Sequence, residues 1–561
     1  MWAITQLLTG CGLISINPEK SVINTVSTQT SSTVARATAP KPERCLMALQ
    51  NSPCLNPMFI GVAVSGGGAR AANFGLGVLT ALTNLGLYNN VTAISSVSGG
   101  SLAAASFALA PPADDIEFKK RAELFRTDFL HKWMLDSIKP GNMISTLASG
   151  RNATRSLADV FDKTVFAGAQ FQQLGARKDG APALLINASL LHLVPSSRPL
   201  TTRGTNSSPN GLQGFTFTQE SFDELGSDLS HMRIADAVAA SGAYPGIFNG
   251  LTLKNFNSEI YGVPKSQYLH LSDGGTSDNL GVDALLHAYG ESLASIQQAS
   301  CLMIVVDAHV HDPLDRSASI PDIRTGPMDY LISPSFSRAF ELLLDRRRED
   351  QLRSIGIQLS SYHPKRFSPE VEIALDNQSF WGDGWSTSRG ISIVEGQEFK
   401  LAGGKHITHA TCAVWHIALD RLLELTKYGN QRQRASFHGQ EESSQYLDEE
   451  VRDKKLVKLD RFVNTIQTNY KLSVNGKCTA KKIQDSLFEA ANQLTTNDRE
   501  SLTSLSKWLR SHHREQLANN VEQGLNWYAK RGDTLEKNTP NYLYVSATTP
   551  KFISDSIQCY D

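Results

Sequence analysis

The sequence has no excess of charge of either sign. Its 54 lysine and arginine residues are balanced by 55 aspartate and glutamate residues, for a formal net charge of −1 at pH 7. No long run of Lys and Arg occurs, although a protein that binds nucleic acid needs a basic surface to meet the phosphate backbone. We therefore do not expect nucleic acid among the partners.

The chain also lacks the cysteine pattern of a metal site. Its seven cysteines form no CxxC pair and have no zinc-finger histidine spacing. Cys301, in the apolar run CLMIVVDA, is typical of a buried strand, and Cys45 and Cys54 are near enough in sequence to close a loop in an oxidising compartment. Two groups of candidate ligands have no closing ligand set: His309, His311, Asp312 and Asp315, and His406, His409, Cys412 and His416. We expect neither a metal nor a cofactor.

No apolar stretch reaches the roughly 20 residues that are needed to cross a bilayer. Near the start, Leu8-Thr9-Gly10-Cys11 resembles the lipobox of bacterial lipoproteins, in which Cys11 would carry the lipid. The first residues lack the Lys or Arg and the longer apolar region of a secretory signal. Two locations therefore stay open: a bacterial cell envelope with a lipid anchor at Cys11, and the cytoplasm or a membrane periphery.

Four segments of different character follow one another along the chain. Residues 1–18 are the candidate signal and anchor, and residues 19–54, rich in Ser, Thr, Ala and Pro, are predicted to be a flexible tether. Residues 55–425 alternate strand-like apolar runs with helical patterns, which predicts a three-layer α/β domain with a central, mainly parallel sheet. Residues 426–561 are predicted to be a helical C-terminal region.

Two apolar stripes at helical spacing support the prediction for the C-terminal region. One consists of Leu459, Val463, Ile466 and Tyr470, and the other of Ile483, Leu487 and Leu494. Such helices can form a substrate lid or an appendage that packs on the main domain. We favour the appendage.

A serine stands between a strand-like run and a helix-like run in TAISSVSGGSLAAASFALA. A sharp turn at Ser98 would lift its hydroxyl above the sheet, which is the geometry of a nucleophile elbow. Gly99 and Gly100 supply the small residues that such a pinched backbone needs, while Ser96 replaces the usual glycine on the other side. Taken alone, this pattern is more typical of a serine that caps a helix.

The turn SGGGAR, which contains Gly66, Gly67, Gly68 and Arg70, precedes a second helix-like run. Free N–H groups at the start of a helix can hold an anion. The turn lacks the Lys-Ser/Thr of a P-loop and the GxGxxG spacing of a dinucleotide site. We expect it to stabilise a transient oxyanion instead, an effect of about 3 to 4 kcal/mol per good donor.

A serine nucleophile needs a base within reach. Asp273, at the end of the strand-like run QYLHLSD, is followed by Gly274 and Gly275. An Asp-Gly-Gly sequence is ordinarily only a tight turn. Together with the serine and the glycine turn, Asp273 becomes a candidate general base.

These motifs resemble the patatin-like phospholipases. The resemblance rests on four blocks in that family's order: GGGAR from Gly66, SVSGGS around Ser98, ASGAYPGIF from Ala240 to Phe248, and Asp273-Gly274-Gly275. It covers roughly residues 59–313. It implies a lipid acyl hydrolase with a Ser98–Asp273 dyad, an oxyanion site at Gly66 to Gly68 supported by Arg70, phospholipid or other lipid esters as substrate, and work at a membrane surface.

Three alternatives stay open. His309 and His311 follow a strand downstream of Asp273, in the chain order of a Ser-Asp-His esterase. A catalytically silent lipid-binding protein with the same fold is the second alternative, since fold does not guarantee activity. A nucleotide-binding α/β module is the third, and the lack of the expected Lys and acidic partners counts against it.

Overall fold

A computed structural model describes the part of the chain that carries the motifs. The described residues are 22–27, 58–139, 152–175, 182–191, 214–245, 247–257, 267–295, 300–310, 343–352, 355, 385–388, 391–400, 406–425, 446–474 and 478–530. The predictions for Cys11, Cys45, Cys54 and His311 lie outside these residues.

Among the described residues, ten strands form one sheet. They are β1 (Phe59–Val64), β2 (Ala93–Val97), β3 (Ala183–Leu190), β4 (Gly214–Thr216), β5 (Leu251–Lys254), β6 (Tyr268–Asp273), β7 (Cys301–Asp307), β8 (Trp385–Ser388), β9 (Ile391–Lys400) and β10 (His406–Ala418). The order is β5-β6-β3-β2-β1-β7-β10-β9-β8, and β4 also pairs with β3. The five central strands from β3 to β10 are parallel, whereas the strands towards both edges pair antiparallel.

Helices cover both faces of this sheet. They are α1 (Gly68–Asn84), α2 (Gly99–Leu109), α3 (Asp115–Phe125), α4 (Phe129–Ser137), α5 (Ala153–Phe161), α6 (Phe171–Gly175), α7 (Gln219–Glu224), α8 (Ile234–Ser241), α9 (Val282–Ser295), α10 (Tyr446–Val463), α11 (Ala480–Thr495), α12 (Arg499–Ser511) and α13 (Glu515–Lys530). A further helical segment spans residues 343–352. The predicted three-layer α/β fold with a helical C-terminal region is confirmed.

Strand β1 explains why the sheet is a middle layer. Successive side chains of a strand point to opposite faces, and every residue of β1 is buried. Val62 and Val64 join the core that contains α1 and α2. Phe59 and Ala63 join a second core, which includes Leu285 of α9. An apolar run without polar interruptions is what a strand covered on both faces requires.

The C-terminal helices pack directly on the main domain. A Cβ on Gly77 of α1 would lie 2.8 Å from the Cβ of Ala491 in α11, so the two helices touch at a glycine. At the same contact the amide of Gln484 donates to the side-chain oxygen of Asn73, 2.7 Å away. The predicted helical stripe from Leu459 to Tyr470 is only partly helical. Helix α10 ends at Val463, and Tyr470 belongs to a turn beyond it.

Two further features add to the sequence interpretation. Residues 22–27, inside the predicted tether, attach to the sheet edge, where Asn24 bonds the backbone of Lys254 and the hydroxyl of Ser227.

Strand β10, which the sequence patterns did not predict, pairs with β7, and Cys412 forms a disulfide with Cys301. Among the described residues no helix is long and apolar enough to cross a membrane.

Candidate active site

Ser98 occupies a strained turn between β2 and α2. Its φ of 50° and ψ of −124° lie in a region that side-chain-bearing residues seldom adopt. The two following glycines permit the turn: a Cβ on Gly99 would lie 1.9 Å from the backbone oxygen of Gly68, and one on Gly100 would lie 2.4 Å from that of Ser65. The strand and the helix therefore meet at a pinched elbow with the Ser98 side chain at its apex.

Asp273 reaches this serine from the end of β6. The Ser98 hydroxyl donates to Oδ2 of Asp273 across 3.1 Å, although 175 positions separate the two residues in sequence. The other carboxylate oxygen, Oδ1, accepts from the N–H of Gly275 at 2.8 Å. Ser98 and Asp273 are each only 6% exposed. The structure thus brings these two predicted residues into direct contact inside the protein.

The environment of Asp273 changes its acidity. Burial raises the pKa of Asp273 from its ordinary value of 3.8 to about 6, while the hydrogen bonds from Gly275 and Ser98 act in the opposite direction. A buried carboxylate loses the hydration that stabilises its charged form. Asp273 therefore titrates close to neutral pH, as a general base needs to do.

Ser241, at the end of α8, holds the elbow from the other side. The backbone N–H of Ser98 donates to the Ser241 hydroxyl at 2.8 Å, and that hydroxyl donates to the backbone oxygen of Asn187 at 2.5 Å. Sequence reasoning singled out the block that contains Ser241 but gave this residue no role. Its signal was only the resemblance of ASGAYPGIF to a family segment.

The glycine turn lies over the elbow. Gly67 has a φ of 135° and Gly68 a φ of 57°, both in the left-handed half of backbone space that favours glycine. Gly66 donates its N–H to the backbone oxygen of Asn279 at 2.9 Å. Within the described part of the chain, the N–H groups of Gly67, Gly68 and Gly99 donate to no acceptor. These three donors start helices α1 and α2, where the helix dipoles favour negative charge.

A hairpin that joins α10 to α11 covers this site. Residues 466–474 form it, with a bridge between Ile466 and Val474. At its tip, the Tyr470 hydroxyl lies 3.4 Å from Oγ of Ser98 and donates to the backbone oxygen of Gly242 at 3.2 Å. Sequence reasoning missed this contact, since no motif marks Tyr470 and 372 positions separate it from Ser98.

Arg70 also faces the hairpin. Its Nη1 donates to the backbone oxygen of Ile466 at 2.9 Å, and the side chain is buried. The sequence interpretation gave Arg70 a role in supporting the oxyanion turn or a substrate phosphate. The contact of Nη1 ties the first turn of α1 to the hairpin, and the role of Arg70 towards the oxyanion turn or a phosphate stays a prediction.

The histidine alternative finds little geometric support. The described hydrogen-bond partners of the Ser98 hydroxyl are Asp273 and Tyr470. His309 faces Asp345, with 3.4 Å between Nδ1 and Oδ1. Burial, together with the nearby Arg348 guanidinium, lowers the pKa of His309.

A buried ion network lies directly behind the glycine turn. Nε of Arg348 donates to Asp307 at 2.6 Å, and Nη2 donates to Asp420 at 2.7 Å. His416 Nε2 lies 3.0 Å from the same Asp307 oxygen. Burial alone would raise the pKa of Asp307, but Arg348 and His416 hold it well below its usual range.

The network is linked to the turn through one residue. Asp307 ends β7, and the N–H of the next residue, Ala308, donates to the hydroxyl of Ser65 at 2.9 Å. Ser65 in turn precedes the glycines of the turn and donates its N–H to Val306 at 2.9 Å. The network therefore fixes the strand end on which the glycine turn rests.

The structure thus combines an α/β sheet with a buried Ser–Asp pair beneath a glycine turn. This is the combination that the four sequence motifs predict. Residues 62–286 match the family model described as patatin-like phospholipase. This match confirms the resemblance that the four motifs carry. The chain thus contains a patatin-like phospholipase domain, which spans less than half of its 561 residues and includes both Ser98 and Asp273.

Solved structures show weaker likenesses. Human GIVD cytosolic phospholipase A2 is 12% identical, with a TM-score of 0.42, over 88% of this chain and 63% of that chain. VipD from Legionella pneumophila is 12% identical, with a TM-score of 0.21, over 86% of this chain and 81% of that chain. The present chain therefore spans less than two thirds of the human protein's structure. No curated protein matches the chain in sequence.

Proposed function

We propose that this protein hydrolyses carboxylic esters of lipids, with phospholipids as the substrate class. The observation that carries the proposal is the hydrogen bond between the hydroxyl of Ser98 and the carboxylate of Asp273 at a strained elbow. Backbone strain of this kind is found where it serves a mechanism. The domain match over residues 62–286 supports a lipid ester as the substrate.

Acylation would begin with the attack of Ser98 Oγ on the ester carbonyl carbon. Asp273 accepts the hydroxyl proton as the new C–O bond forms. The carbonyl oxygen becomes an oxyanion, which the N–H groups of Gly67 and Gly68, and that of Gly99 next to the nucleophile, are placed to stabilise. When the tetrahedral intermediate collapses, the leaving alcohol takes the proton from Asp273 and the acyl group stays on Ser98.

Deacylation reverses these roles. A water molecule attacks the acyl carbon of the Ser98 ester, and Asp273 takes the proton of that water. The same N–H groups stabilise the second oxyanion. As the fatty acid leaves, Asp273 returns its proton to Ser98 Oγ, and the dyad is restored.

We propose a membrane surface as the place where the substrate is met. Helix α4, next to the hairpin, exposes Met134 and Leu135, and Ile138 follows just beyond its end. Lys139 and Lys163, both largely exposed, flank this apolar patch. Apolar side chains bordered by lysines suit the boundary between head groups and acyl chains. A lipid anchor at Cys11 would hold the protein at such a surface.

A serine-directed probe tests the proposed nucleophile. We expect an alkyl fluorophosphonate to modify Ser98, as read by mass spectrometry of the digested protein, and the unmodified protein to release fatty acid from phosphatidylcholine vesicles. Ser106→Ala, which changes a serine on the same helix away from the elbow, should be labelled like the wild type. Vesicle binding without labelling or fatty acid release would favour the silent lipid-binding alternative.

The rate of hydrolysis should fall in acid. Asp273 must be ionised to accept the proton of Ser98, and its pKa is about 6. The ratio kcat/KM is therefore expected to be constant above that pH and to decline about tenfold per pH unit well below it. A pH–rate profile with a soluble short-chain ester measures this. A profile that stays flat down to pH 4 would remove Asp273 from the role of base.

A further inference from the structure

The hairpin of residues 466–474 enters the candidate active site from the C-terminal region. Besides the bridge between Ile466 and Val474, the N–H of Gln467 donates to the backbone oxygen of Ser473 at 3.0 Å. The tip of this closed turn carries Asn469 and Tyr470. Tyr470 is only 6% exposed, so the tip of this hairpin is buried inside the protein.

Polar contacts bind the tip to groups that the proposed reaction uses. Tyr470 brings its hydroxyl to the nucleophile, Ser98. Its single proton can go either to Ser98 or to the backbone oxygen of Gly242. The backbone oxygen of Asn469 accepts the N–H of Ala69 in the first turn of α1 at 2.6 Å.

The tip also fills space above the glycine turn. A Cβ on Gly68 would lie 2.3 Å from the backbone oxygen of Asn469, so the Asn469 peptide rests directly on this glycine. A Cβ on Gly242 would lie 1.6 Å from the Tyr470 hydroxyl. A side chain at either glycine would collide with the hairpin in the observed arrangement.

The ring of Tyr470 sits in an aromatic pocket beside the nucleophile. Its centroid lies 5.4 Å from that of Phe161 and 6.4 Å from that of Phe248. Behind them, Phe129 packs edge-on against Phe161, and Trp133 packs edge-on against Phe248. The space that the Tyr470 ring fills is therefore apolar and lies beside the nucleophile, which suits the hydrocarbon part of a lipid.

We propose that this aromatic pocket is the acyl-chain site and that Tyr470 occupies it in place of the substrate. The inference rests on the proposed function and deepens it. The acyl chain of an ester positioned for attack by Ser98 takes the place of the Tyr470 ring between Phe161 and Phe248. Substrate and hairpin therefore exclude each other, and the observed arrangement is a closed state.

Contacts at the other side of the tip hold the closed state. The backbone oxygen of Tyr470 accepts from the N–H of Phe129 at 3.1 Å. The ammonium group of Lys471 lies 3.2 Å from the carboxylate of Asp128, which caps α4. Helix α4 therefore both exposes the apolar patch and, through Phe129 and its capping residue Asp128, holds the hairpin. A lipid surface that displaces α4 would loosen both contacts.

Two variants open the site by different means. Tyr470→Ala empties the pocket. Gly242→Ala leaves the hairpin sequence intact and adds a methyl group where the Tyr470 hydroxyl now lies; the φ of −107° at Gly242 accommodates alanine. Each is expected to raise the rate constant for labelling of Ser98 by a long-chain alkyl fluorophosphonate at least about tenfold, since apparent affinity scales with the fraction of open protein. Thr468→Ala, at an exposed hairpin position, should label at the wild-type rate.

A binding measurement separates this inference from the proposed function. In the Ser98→Ala background, Tyr470→Ala is expected to tighten the binding of a fluorescent twelve-carbon fatty acid by about tenfold. Tighter binding, together with no labelling of the wild type or of either opened variant, would refute the hydrolase and retain the acyl site. Labelling of the wild type together with unchanged or weaker labelling and binding in both opened variants would refute the closed state and make Tyr470 a supporting group of the reaction.

Discussion

Replacement of Asp273 by asparagine is expected to lower kcat/KM for lipid esters by about 10⁴-fold, the scale seen when one member of a catalytic unit is removed. The amide keeps the size of the side chain and can still bond Ser98, but it cannot accept a proton. In the Ser98→Ala/Asp273→Asn double variant the loss should be no larger than in Ser98→Ala, because residues that act as a unit are not additive.

The same substitution should stabilise the protein. Asp273 is buried and has its pKa raised from 3.8 to about 6, so its charged form is less stable in the folded state than in the unfolded state. Above pH 6 this difference lowers the free energy of unfolding by at most about 3 kcal/mol, because each pKa unit corresponds to about 1.36 kcal/mol. As the pH falls from 6 to 4, folded Asp273 binds its proton and the penalty disappears.

Urea unfolding of both proteins as a function of pH measures this effect. Asp273→Asn should have the larger free energy of unfolding at pH 7, and the two proteins should become equal near pH 4. Equal stability at pH 7, or a variant that keeps a tenth of the wild-type activity, would contradict the role of Asp273 as a desolvated base.

Replacement of Arg348 by methionine is expected to reduce the free energy of unfolding by about 3 to 5 kcal/mol, the usual result of removing one partner from a buried ion pair. Arg348 bonds both Asp307 and Asp420 inside the protein, and its side chain is 5% exposed. Without it, Asp420 loses this cation, and Asp307 keeps His416 and the N–H of His309 but loses its guanidinium partner. A buried charge that loses its counter-charge in a low-dielectric interior is strongly destabilised.

A partly exposed arginine whose partner is exposed provides the control. Arg126 lies 3.1 Å from Glu123 one helical turn away, and that glutamate is 68% exposed. Arg126→Met should cost at most about 1 kcal/mol, because water and salt screen an exposed pair. Guanidinium unfolding followed by circular dichroism compares the two variants. An Arg348→Met protein no less stable than Arg126→Met would show that the buried network contributes little.

Local sequence contains the information for the motifs and the framework that positions them. The glycines around Ser98 mark an elbow because backbone atoms pass within distances that a Cβ would occupy. The uninterrupted apolar run of β1 marks a strand covered on both faces. Although the elbow glycines meet the distant residues Gly68 and Ser65, both patterns themselves lie in short stretches of sequence, so residue type and spacing suffice to predict them.

The parts that sequence reasoning missed depend on contacts between distant segments. Tyr470 continues an apolar stripe at helical spacing, yet α10 ends at Val463 and the chain turns into the site. Arg348 stands in the charged run DRRRED, and only the fold places it between Asp307 and Asp420. Periodicity cannot distinguish such partners, because the pairing is decided by tertiary packing.

The strand order has a consequence for how this domain can be divided. The segment that matches the family model ends at residue 286, whereas β1 pairs on one side with β7, which begins at Cys301. A fragment cut at the end of that match would leave the middle of the sheet as a bare edge, and unpaired edges recruit neighbouring molecules into aggregates. The stretch that carries the chemistry is thus shorter than the stretch that must be inherited, expressed or transplanted together.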